Sequence, residues 1–84
     1  MTALRENVSV VDTDYGAVLL DRLSGQYWAL NPIGALVLNT VLEGGDERHA
    51  VDAVLHNYDV DADTATRDVL AILEQCRSAG LLAE

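Results

Sequence analysis

Over the first thirty residues the apolar positions come in short runs, and after Pro32 they recur at helical spacing. Val8, Val10 and Val11 around Ser9 predict a first short strand, and Thr13-Asp14-Tyr15-Gly16 supplies turn chemistry. Ala17 to Asp21 is a nearly continuous apolar run, as expected of a central strand covered on at least one face. Arg22 to Gly25 then turns the chain into a third strand, Gln26 to Leu30. Two short connections between three short strands predict an antiparallel meander, with the second strand interior and the first and third as edges. Met1 to Asn7 is polar and is expected to fray, which puts the ordered core at about 8–82.

Asn31-Pro32 reads as a helix cap followed by proline in the first turn. Ile33, Leu36, Val37, Leu38, Val41 and Leu42 cover a broad helical face up to Glu43, and Gly44-Gly45 stops the helix. Asp46 caps a second helix whose stripe is Ala50, Val51, Val54, Leu55 and Tyr58, and Asp59-Val60 ends it. A third helix opens near Asp61 and closes at Gly80. Its core arc holds Ala62, Ala65, Val69, Ile72, Leu73 and Cys76, while Leu70 falls on a mixed shoulder. Leu81 and Leu82 are expected to tuck back onto the sheet or the helix end. The fold class is α+β: a three-stranded antiparallel meander followed by three helices, in a single domain over 1–84.

The third strand holds Tyr27 and Trp28, half of the four aromatic residues. Strand alternation puts Tyr27 and Ala29 on one face and Gln26, Trp28 and Leu30 on the other, so neither face is wholly polar. We therefore read it as an edge strand whose free backbone groups and apolar flank accept a partner's strand. Its outward amide falls at Gln26 or at Ala29.

Charge narrows the partners. The chain of 84 residues has a formal net charge of −9, five arginines and no lysine. Arg5, Arg22, Arg48, Arg67 and Arg77 are scattered, so no cluster exists to neutralise the several phosphates that nucleic-acid binding requires. The same charge repels anionic membranes. Cys76 is the only cysteine, which rules out a disulfide within the chain. Neither a signal-peptide pattern nor an apolar run long enough to span a membrane is present, and a soluble cytoplasmic protein is expected.

Catalytic chemistry has little to rest on. Asp59, Asp61 and Asp63 alternate as in a calcium loop, yet the sixth and twelfth positions hold Thr64 and Leu70 where glycine and glutamate are needed. Asp61 as a helix cap accounts for them better. His49 and His56 lie two turns apart, too far to share a metal ion, and Cys76 sits in the apolar arc. Ser9, Ser24 and Ser78 are in no nucleophile-elbow context, and no glycine-rich loop opens a helix. Neither an enzyme activity, a metal nor a cofactor is expected.

The ordered fragments carry a family resemblance. Gly25-Gln26-Tyr27-Trp28-Ala29-Leu30-Asn31, the Ile33–Leu42 helix with Gly44-Gly45, Tyr58-Asp59-Val60-Asp61, Asp68-Val69 with Leu73, and Gly80-Leu81-Leu82 together resemble the PqqD-like family. These are precursor-peptide recognition domains of ribosomally made, modified peptides. A free-standing domain of this size is most similar to the B1 proteins of lasso-peptide clusters. The resemblance implies a winged-helix-like fold and a non-catalytic adaptor for the precursor leader peptide, working with a separate B2-like leader peptidase and a macrocyclase. It implies that the leader adds as an antiparallel strand along Gln26, Tyr27, Trp28, Ala29 and Leu30, with Tyr27 or Trp28 walling one side of the groove. Val69, Leu70 and Leu73 would wall the other side, with Asp68 and Arg77 as polar contacts. The family departs from this chain at Cys76, where a larger aliphatic residue is usual, and at Asp46, where threonine is. The competing reading of the same topology is a winged-helix nucleic-acid-binding regulator. The third helix counts against it, with Arg67 and Arg77 set against Asp61, Asp63, Asp68 and Glu74.

Overall fold

The computed structural model describes residues 3–83. Strands β2 (Val8–Thr13), β3 (Gly16–Asp21) and β4 (Tyr27–Leu30) form an antiparallel sheet in the order β2-β3-β4. Helices α1 (Pro32–Leu42), α2 (Glu47–Asn57) and α3 (Ala62–Ser78) follow. The predicted α+β meander with three helices is therefore the observed architecture.

The N-terminal expectation needs correction. Ala3–Leu4 forms a short strand, β1, that pairs antiparallel with Leu82–Ala83, β5. The Arg5 amide also donates to the Leu81 carbonyl at 3.1 Å. Leu4 is the reason the segment is held, because its side chain packs on the cluster that contains Leu81 and Leu82. Leu82 belongs to this second, two-stranded sheet, and the side chains of Leu81 and Leu82 tuck, as expected, onto Val8 and Leu19 of the main sheet and Cys76 near the end of α3. Met1 and Thr2, also expected to fray, lie outside the described residues.

Two apolar clusters make the core. Val37 and Val41 of α1, Ala50 and Val54 of α2, and Ala65, Val69 and Leu73 of α3 close the helical part. Val8 and Leu19 of the sheet meet Leu38, Cys76, Leu81 and Leu82 in the other. Ile72 packs against both, so the middle of α3 joins the sheet to the helices. Cys76 is a buried core residue, and desolvation pushes its thiol above the ordinary range, which disfavours the reactive thiolate.

The caps place the helices as the sequence suggests. Asn31 accepts from the Gly34 amide at 2.8 Å, Asp46 from the His49 amide at 2.9 Å, and Asp61 from the Thr64 amide at 2.7 Å. The last two carboxyls are held below their usual range chiefly by those backbone donors. Asp61 is thus a cap, and no group of three or more potential metal ligands gathers among the described residues.

Candidate functional site

Strand β4 is fixed at both ends. The turn before it is tied by Asp21, whose carboxylate accepts from the Asn7 side chain at 2.8 Å and from the Leu23 amide at 2.9 Å. Those donors, the Asn7 amide foremost, lower the Asp21 carboxyl from its ordinary value. After it the Asn31 cap and Pro32 commit the chain to α1. Gly16 lets the end of β4 come close: a Cβ there would sit 1.9 Å from the Leu30 carbonyl oxygen, and its φ of 139° suits glycine. A short strand with pinned ends keeps its edge in one place.

Among the described residues β4 pairs with β3 alone, which leaves its other edge free. The register is Leu20↔Tyr27, Leu19↔Trp28, Val18↔Ala29 and Ala17↔Leu30. The Asp21 amide donates to the Gln26 carbonyl at 2.9 Å, and hydrogen-bonded pairs alternate along an antiparallel ladder. Leu19–Trp28 and Ala17–Leu30 are then the bonded pairs. It follows that the N–H and C=O groups of Tyr27 and Ala29 point away from the sheet. The Gln26 amide instead donates to the Ser24 hydroxyl at 3.2 Å. Of the two amides singled out from sequence, Ala29 is the outward one.

The side chains sort in the same way. Trp28 and Leu30 are half-buried and pack on the sheet-side cluster, whereas Tyr27 is 71% exposed and Ala29 is exposed on the outer face. Next to the end of β4, Asn31, Ile33, Asp68, Ala71 and Ile72 line a shallow notch of about 180 Å³. At the other end, a depression of about 330 Å³ is lined by Gly25, Gln26, Tyr27 and Trp28. The two thus lie near opposite ends of β4.

On α3 the placement differs from the expected wall. Val69 and Leu73 are 0% and 2% exposed in the helical core, and neither lines the notch beside β4. Leu70, 47% exposed, lines a hollow with Val51, Leu55 and Thr66 between α2 and α3, away from β4. Arg77 lies on the same side, 3.9 Å from Glu47, in a hollow of about 500 Å³ at the α1–α2 turn. That hollow is the larger one, but it shares no residue with the strand edge or its notch. Asp68 alone of the five α3 positions sits in the notch. Helical phase explains the division: Leu70 and Asp68 lie about 100° from the centre of the core arc in opposite senses. Ala71 and Ile72, three and four residues after Asp68, complete the wall that sequence reasoning missed.

Fold and edge together define a winged-helix-like α+β domain with an open strand beside a helix-lined notch. Residues 16–82 match the model of the PqqD family, described as coenzyme PQQ synthesis protein D, and the chain belongs to that family. Among solved structures, it is 35% identical to a lasso peptide synthetase B1 complexed with the leader peptide, with a TM-score of 0.88 over 99% of this chain and 98% of that one. It is 29% identical to TbiB1 in complex with the TbiA(beta) leader peptide, with a TM-score of 0.83 over 95% and 93%. No curated protein matches the chain.

Proposed function

We propose that this chain is a non-catalytic adaptor of lasso-peptide biosynthesis that binds the leader of a precursor peptide as an added strand along β4. The observation that carries the reading is the free edge with the outward amides of Tyr27 and Ala29, in a chain alike over nearly its whole length to a B1 protein complexed with the leader peptide. Strand addition suits the task. Backbone hydrogen bonds tolerate many leader sequences, and the notch at Ile33, Ala71 and Ile72 offers selectivity for the residues that alternate inward. The leader satisfies an edge that would otherwise be open to unwanted pairing.

In this reading the bound precursor is presented to a separate leader peptidase and then to a macrocyclase, and the bond-breaking chemistry belongs to those enzymes. The excess of acidic residues argues against the nucleic-acid alternative. No helix among the described residues is long and apolar enough to cross a membrane.

The test is isothermal titration with a synthetic peptide that copies the leader of the precursor encoded nearest to this protein's gene. A 1:1 complex that survives chelator and is absent with a scrambled peptide is expected. No heat with the leader, together with a shift of duplex DNA at about 150 mM salt, would overturn the proposal.

A further inference from the structure

Asp68 stands apart from the other well-placed aspartates. Asp21, Asp46 and Asp61 each accept a hydrogen bond from a backbone amide. Asp68 is half-buried and lines the notch, together with Ala71 and Ile72 of its own helix and Asn31 and Ile33 at the start of α1. Among the described residues, neither a hydrogen-bond donor nor a cation is paired with its carboxylate. Water satisfies it while the notch is open. Covering the notch with an apolar side chain would strip that water from a charge and give nothing back.

We infer that Asp68 selects precursor leaders that carry a lysine or arginine at the N-terminal end of the segment paired with β4. This rests on the strand-addition reading above. An antiparallel partner of β4 begins beside Leu30 and Asn31 and ends beside Gln26, so its first residues are the ones that cross the notch. A long basic side chain lays its alkyl stem on Ile33 and Ile72 and brings its charged head to the carboxylate. The net charge of −9 adds a general attraction for a basic segment but does not choose a position within it. Asp68 does, because it is the carboxylate in the notch.

Fluorescence anisotropy against a peptide series tests the inference. The probe is the labelled leader of the precursor encoded nearest to this protein's gene, prepared with lysine, glutamine or glutamate at each position in turn. At one position at the N-terminal end of the paired segment, the parent protein is expected to prefer lysine over glutamine by about fivefold, and over glutamate by more. Asp68→Asn, with its folding checked by circular dichroism, is expected to remove that preference, and Asp68→Lys to invert it. Binding of all members equally by the parent, or an unchanged lysine preference in Asp68→Asn, overturns this inference and leaves leader binding intact. Failure of the parent to bind any member overturns both.

Discussion

Replacing Ala29 by proline separates binding from folding. The Ala29 amide points away from β3, so proline removes no ladder bond there, and edge strands tolerate its φ. Trp28 before it is already extended, as a residue preceding proline must be. The fold should therefore lose less than about 1 kcal/mol, or roughly 6 °C in Tm for a domain of this size. The leader, in contrast, loses one backbone hydrogen bond at the centre of its paired stretch. That is worth about 1–2 kcal/mol, or about five- to thirtyfold in Kd. Trp28→Pro is the opposing control, because it breaks the bonded pair with Leu19 and removes a half-buried ring, and it should cost about 3 kcal/mol or more of stability. Calorimetric titration with the leader peptide and thermal melts on the same samples read both quantities. Ala29→Pro that melts like the parent and binds leader like the parent would refute the reasoning.

Leu73→Ala should destabilise the fold by about 2–5 kcal/mol, whereas Leu70→Ala should cost about 0.5 kcal/mol and leave leader affinity unchanged, as urea unfolding and titration can check. The acid limb of the stability curve should come from Asp21, Asp46 and Asp61. All three carboxyls are lowered in the fold, so their contribution is present above the ordinary carboxylate pKa and is lost as pH falls through the folded values. Melts should be flat from about pH 7 to 5 and fall below about pH 4, with Asp61→Asn shallower than the parent in that window.

The three strands and three helices were legible because each has strong local signals: turn chemistry at Thr13–Gly16 and Arg22–Gly25, an Asn31-Pro32 start, and aspartate caps at 46 and 61. Alternation also divided Tyr27 and Ala29 correctly from Trp28 and Leu30. The pairing of Ala3–Leu4 with Leu82–Ala83 was not legible, since two residues are too few to show a period and their ends lie far apart in the chain. Nor could sequence decide which shoulder of α3 faces β4. Periodicity measures how far Leu70, Arg77 and Asp68 stand from the core arc, but the side is set by how α3 packs between α2 and the sheet. For the same reason Ala71, unremarkable in the sequence, became part of the notch. The outward amide of Ala29 depended on the phase of the ladder, which a single backbone bond from Asp21 to Gln26 reveals.

The central claim, that a leader strand joins the sheet at β4, is tested most directly by amide hydrogen exchange read residue by residue with and without the leader peptide. The Tyr27 and Ala29 amides, open to solvent in the free protein, should become strongly protected, with the signals of Asp68, Ala71 and Ile72 shifting alongside them. Protection that left Tyr27 and Ala29 unchanged and appeared instead at Val51, Leu55, Thr66 and Leu70 would place the partner between α2 and α3 and contradict the account.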